Sequence, residues 1–177
     1  MGTLKKFTIM NAIVILIASM MFMSPGYAQM GRKGGLYAPP TVTAEQAISK
    51  VKSTLPHLTA GKSLIKTGMQ GQMILVVTLL LDGQVVSWIR VNPSTGEILP
   101  TGMKLFVQNL SASQEQAVNI VKESIPKFEV GSVRLRNDGN WGVDITLNKI
   151  NVAFIFVDGK DSSIMSGWKG PMHASRF

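Results

Sequence analysis

The chain has 177 residues, 45% of them hydrophobic and 16% charged, with 18 Lys and Arg against 10 Asp and Glu and no cysteine. The missing cysteine excludes disulfides, thiol nucleophiles, thiolate metal sites and a lipid-modified N-terminal cysteine. The apolar content with so few charges excludes an intrinsically disordered chain, and the net charge of +8 bears on partners and solubility rather than on fold.

The first element predicted is a signal peptide over residues 1–28. Lys5 and Lys6 form a basic start, Ile9 to Met23 runs almost unbroken apolar, and Ser24-Pro25-Gly26-Tyr27-Ala28 supplies a helix breaker and small residues before a cut after Ala28. The apolar run is shorter than the ~20 residues of a bilayer span, so cleavage is expected over anchoring and membrane contact is only transient. Losing Lys5 and Lys6 lowers the positive balance. Export to the periplasm or beyond removes the chain from chromosomal DNA, so nucleic acid is not an expected partner. Residues 29–40, rich in Gly and Pro with Arg32 and Lys33, read as a flexible leader.

An internal repeat organises the rest. Thr43 to Pro56 (TAEQAISKVKSTLP) aligns without a gap on Ser113 to Pro126 (SQEQAVNIVKESIP). Each segment predicts a helix: Thr43 with Gln46, and Ser113 with Gln116, have capping-box spacing. Ala47, Ile48, Val51 and Leu55 make one apolar stripe, and Ala117, Val118, Val121 and Ile125 its counterpart. Pro56 and Pro126 are expected to force Leu55 and Ile125 into extended conformations and so end both helices. Strands follow at Ser63 to Thr67, Met73 to Leu81 and Val85 to Asn92, with Gly68 to Gln72 and Asp82-Gly83 as turns. In the second copy they run Val130 to Arg136, Trp141 to Leu147 and Ile150 to Val157, with turns at Asn137 to Asn140 and Asn148-Lys149.

The expected fold class is therefore α+β: two repeats of one helix packed on an antiparallel three- to four-stranded meander sheet, preceded by the signal peptide. Module 1 spans residues 41–100, a linker 101–110, module 2 residues 111–167 and a C-terminal tail 168–177. A module of this size has a marginal core alone, so joint packing is expected. Trp141, Val143, Ile145 and Leu147 alternate with Gly142, Asp144, Thr146 and Asn148, which predicts one face under the helix and one facing water. Met73 to Leu81 is apolar on both faces, and is expected to be covered by its own helix on one and by the other module or a partner on the other.

Chemistry-bearing motifs are sparse. Gly61-Lys62-Ser63 resembles the tail of a phosphate-binding loop, but Pro56 stands where that loop needs a glycine. His57 and His173 have no second ligand at metal spacing, and Met69 and Met73 near His57 read as packing residues rather than soft copper ligands. No nucleophile elbow or acid–base pair is present, so no catalytic, cofactor or metal residue is expected and the chain reads as non-enzymatic. Asn109-Leu110-Ser111 fits a glycosylation sequon, relevant only in a eukaryotic secretory pathway. The candidate partner-binding residues are Lys62 and Lys66, with Arg134 and Arg136 on the equivalent strand, which form a plausible basic face for an acidic protein or an anionic envelope polymer. Thr95 and Glu97 join them in the turn Pro93 to Glu97, where Pro93 presets the bend, Gly96 permits a positive φ and Glu97-Ile98-Leu99 begins a short return strand.

The start Thr43-Ala44-Glu45-Gln46-Ala47-Ile48, the hairpin around Asp82-Gly83 and the ending Val91-Asn92-Pro93-Ser94-Thr95-Gly96-Glu97-Ile98-Leu99 resemble the PepSY domain family, whose copies close on a similar Thr-Gly-Glu-Ile pattern. The second copy departs from it, with Ser162-Ser163 in place of Gly-Glu. The resemblance covers most of residues 41–167. It implies a helix on an antiparallel sheet, an extracytoplasmic location, and a binding or inhibitory role toward a peptidase or another envelope protein, as in the propeptides of thermolysin-type metallopeptidases. The alternative reading is a module that binds an envelope polymer or small ligand through the basic sheet face.

Overall fold

A computed structural model describes residues 39–67 and 70–166. The predicted signal peptide, nearly all of the leader, Met69, and the tail with Trp168 and His173 lie outside them. Each repeat gives one helix and one three-stranded antiparallel meander: α1 (Ala44–Thr54) precedes β1 (Leu58–Thr67), β2 (Met73–Leu81) and β3 (Gln84–Val91), and α2 (Gln114–Ser124) precedes β4 (Glu129–Leu135), β5 (Trp141–Leu147) and β6 (Ile150–Val157). β2 is the middle strand of the first sheet and β5 of the second.

Local chemistry accounts for most boundaries. Thr43 and Gln46 form the reciprocal capping box, with Gln46 N–H donating to Thr43 Oγ1 at 3.3 Å and Thr43 N–H to Gln46 Oε1 at 2.8 Å. In α2 only the Ser113 hydroxyl half is made. The prolines act differently from expectation. Leu55 (φ −50, ψ −45) and Ile125 (φ −51, ψ −45) remain helical, and Pro56 and Pro126 sit inside one 3-10 turn, Leu55–His57 and Ile125–Lys127. Proline lacks the N–H that an α-helix needs from it but fits the first turn of a new helix. The chain therefore tightens first and becomes extended only at Leu58 and Phe128, and β1 begins five residues before the predicted Ser63.

The β2–β3 and β5–β6 hairpins are of the two-residue kind. Asp82 (φ 50) and Gly83 (φ 77) both occupy positive φ, as do Asn148 (φ 51) and Lys149 (φ 65), the signature of a turn whose twist matches the flanking strands. After β3 the chain turns back so that Ile98 bridges to Val91, and Ile164 bridges to Val157 in the second copy, giving the short return strand.

The helices do not cover the sheets they precede. α1 lies on β4, β5 and β6, and α2 on β1 and β2. Matching hydrogen bonds fix this exchange. The N–H groups of Thr41 and Val42, which lead into α1, donate to Gly159 O at 2.8 and 3.0 Å, and those of Ser111 and Ala112, which lead into α2, donate to Pro93 O, both at 3.0 Å. Gly159 and Pro93 hold equivalent places in the two repeats, so the contacts obey an approximate two-fold relation. Trp141 Nε1–H adds a bond to Val42 O at 2.8 Å, and the Gln114 side-chain amide one to Ser63 O at 3.2 Å. The physical reason is the equivalence of the stripes: Ala47 and Val51 match Ala117 and Val121, so either helix fits either sheet, and exchange ties two marginal modules into one core.

That core is continuous. Val51, Leu75, Val77, Leu79, Ile89 and Val91 join Val121, Val143, Ile145, Ile155 and Val157 in one buried cluster, all inaccessible to solvent. Each such side chain contributes about 1.5–3 kcal/mol relative to exposure. β3 and β6 lie side by side at the centre, where Ser87 Oγ donates to Phe154 O at 2.7 Å. The linker is not loose: Thr101 N–H donates to Asn151 O at 2.6 Å, and Met73 and Val107 exchange backbone bonds at 2.8 and 3.3 Å.

Candidate functional site on the outer sheet faces

The faces turned away from the helices hold Lys66, Arg134 and Arg136 of the predicted site residues. On the first sheet Lys66 is opposite Ile74, Leu64 opposite Val76, and Val76 opposite Arg90, so Lys66, Leu64, Val76 and Arg90 share the outer face with Trp88, which is opposite Thr78. Val76 is buried there although its neighbours Leu64 and Arg90 are not. Lys62 is exposed and Lys66 half-buried, with the Lys66 ammonium 5.4 Å from the centre of the Trp88 ring, a cation–π distance. Burial, and then the charge of Arg90, push the Lys66 pKa below the ordinary lysine value, and burial likewise lowers that of Arg90. Among the described residues no carboxylate pairs with Arg90; its guanidinium meets only Met103 O, at 3.4 Å. Arg90 carried no motif in the sequence. Its place follows from the register alone, which sets it on the same side as Trp88 and Lys66.

On the second sheet both arginines are paired with carboxylates. Arg134 stands on β4, but Arg136, expected as the last residue of that strand, lies just beyond it, and the face is not wet as expected. Gly142, Asp144 and Thr146 are all buried, because side chains from β4 and β6 fold over them. Arg134 forms an ion pair with Asp144, whose other oxygen accepts from Ser132 Oγ at 2.7 Å and Asn151 Nδ2 at 3.0 Å. Arg136 lies 4.1 Å from the centre of the Phe156 ring and pairs with Asp138 at 3.0 Å. Burial alone would raise the Asp138 pKa, but the Arg136 guanidinium and the Asn140 N–H outweigh it and hold the carboxyl below its ordinary value. Asp144 occupies the place of Thr78, opposite Phe154 as Thr78 is opposite Trp88, but its partner Arg134, opposite Gly142, holds the place of Leu64, and Phe156 holds that of Arg90.

Thr95 and Glu97 lie apart from these faces, exposed in the turn after β3. Asn92 Oδ1 accepts from Ser94 N–H at 2.9 Å, Thr95 Oγ1 donates to Glu97 Oε2 at 3.1 Å and accepts from Glu97 N–H at 3.3 Å. Gly96 has φ +82, as expected, and a side chain there would come 3.0 Å from Ile120 of α2. The turn thus abuts the exchanged helix, a placement that the repeat alignment did not contain. His57 is exposed at the end of its 3-10 turn and Met73 is tied to Val107. Among the described residues no group of three or more His, Asp or Glu could hold a metal ion. No family model matches the chain, and no curated protein or solved structure matches it.

Proposed function

We propose that the chain is an exported, non-enzymatic PepSY-like binding protein whose partner is an acidic extracytoplasmic protein, engaged through the outer face of the first module. The observation that carries this is Arg90: a partly buried guanidinium that faces another cation, Lys66, and no carboxylate among the described residues. A partly desolvated guanidinium favours an incoming anion, which restores the charge interactions that it gave up in water. The PepSY resemblance makes a peptidase the first partner to try. The compensated second face takes the structural part in this reading.

The test is retention of the purified protein on immobilised polyglutamate, and on peptidases from the native extracytoplasmic fraction, over a range of salt. Binding is expected to weaken steeply as salt rises and to be lost in the Lys66→Gln, Arg90→Gln double variant. Retention that is insensitive to both would overturn the reading. Export itself is checked by N-terminal sequencing of the extracytoplasmic protein, with Gln29 expected first.

A further inference from the structure

Beside the cationic face the two modules enclose a small cleft. Trp88 and Arg90 of β3 line one side, Val152, Ala153 and Phe154 of β6 the other, and the linker residues Pro100 to Gly102 close the end, around a volume of about 210 Å3. Trp88 and Phe154 are equivalent residues of the two repeats, so the cleft lies where the approximate two-fold brings like places together and exists only in the joined pair. It is already built: Thr101 N–H is fixed to Asn151 O at 2.6 Å, Met103 N–H closes the linker turn onto Pro100 O at 3.1 Å, and Gly102 holds φ +93.

The lining residues are two aromatics, small aliphatic residues and Thr101, and Arg90 is the one charged residue among them. Aromatic walls favour a flat apolar body, and a guanidinium is matched in shape by a carboxylate, which it binds through parallel hydrogen bonds. The volume is below the roughly 300–1,000 Å3 of drug-sized pockets, so it accommodates one ring and its acid arm. We propose that this cleft binds an aromatic carboxylate, the carboxylate on Arg90 and the ring against the apolar lining. The same chemistry is offered by a free aromatic acid and by the C-terminal Phe of a peptide. The inference rests on the reading of the first outer face as anion-binding, and names the ligand class of its inner end.

The experiment titrates the purified protein with N-acetylphenylalanine, its amide, and a short peptide ending in Phe with free or amidated C-terminus, while following the backbone NMR signals of Thr101, Gly102 and Ala153. Saturable shifts are expected with both free acids and binding at least tenfold weaker with both amides. Tighter binding of the peptide identifies a chain terminus as the source, and equal or tighter binding of the small acid a free metabolite. Arg90→Gln should lose tenfold or more. Thr101→Asp, at an exposed position whose backbone bond is kept, should weaken binding similarly by placing a negative charge at the mouth. No saturation at millimolar acid, equal binding of acid and amide, or indifference to both variants would overturn the proposal. If polyglutamate retention persists without such binding, the cleft alone is misread; if retention also fails, the outer-face reading falls with it.

Discussion

The two modules build equivalent outer faces from different side chains and end with different electrostatics. Lys66 and Arg136 each approach an aromatic ring, and Trp88 and Phe154 each border the central cleft. Yet one sheet has Thr78 where the other has Asp144. The buried carboxylate gathers Ser132, Arg134 and Asn151 into a closed network, whereas Thr78 donates to the Lys62 carbonyl, at 3.1 Å, and brings no charge to its face. A charge count over a basic stretch therefore says little about binding until the register reveals which acids lie beneath it. In this chain the pair with the more evident alternation, Arg134 and Arg136, is the one held internally.

The largest expected effect concerns the clamps that hold the exchanged helices. In the second module the clamp is Gly159, where an added Cβ would lie 1.9 Å from Gly139 O, while the first module accommodates Pro93 at that place. Gly159→Ala should therefore cost more than about 3 kcal/mol and unfold both modules in one transition, measurable by urea denaturation; separate transitions would show that the exchange does not couple them. Asp144→Ala comes next. Removing a buried carboxylate from hydrogen-bonded partners should cost about 2–3 kcal/mol, less than for a fully buried pair because Arg134 can turn to solvent, and should give the second face measurable retention on polyglutamate. The reciprocal change, Thr78→Asp, should lower polyglutamate affinity about tenfold, or about 1.4 kcal/mol, with a smaller change in stability. If neither exchange moves retention, the contrast between the faces has no bearing on binding.

The closing turns give a finer contrast. Gly96 and Ser162 both hold positive φ, 82 and 60 degrees, but only one is glycine. A left-handed non-glycine residue costs roughly 1–2 kcal/mol, so Ser162→Gly should raise the midpoint of thermal unfolding and Gly96→Ser lower it by at least as much, given Ile120 at 3.0 Å. The smallest effect is a pH dependence. Asp138 has a depressed pKa in the folded state, so its contribution is present above the unfolded carboxyl value near ~3.9 and is lost as pH falls through the folded one. At a half-exposed pair that contribution is about 0.5 kcal/mol, and acid unfolding of Asp138→Asn should accordingly be less steep below pH ~4 than that of the native chain.

How far the sequence reached depends on the range of the forces involved. Helix starts at Thr43 and Ser113, the Asp82-Gly83 and Asn148-Lys149 turns, the strands Met73–Leu81, Trp141–Leu147 and Ile150–Val157, and the positive φ at Gly96 are local consequences of capping, turn chemistry and two-residue periodicity, and each was legible in a few neighbouring residues. The site was legible only as a list of cations. Lys62, Lys66, Arg134 and Arg136 could be named, but Arg90, Trp88 and the burial of Asp144 depend on strands meeting across the sheet. The basic balance likewise could not say which charges are neutralised at a distance of ten residues and which face one another.

What the sequence determined by itself was the module, repeated: an amphipathic helix, a meander and a closing turn, each encoded within a span short enough for local propensity to act. What the tertiary structure decided was ownership: which sheet each helix covers, which arginines are compensated, and that Trp88 and Phe154 enclose one cleft. Two equivalent apolar stripes are interchangeable to any local rule, so only burial of both in a single core could select the exchanged arrangement.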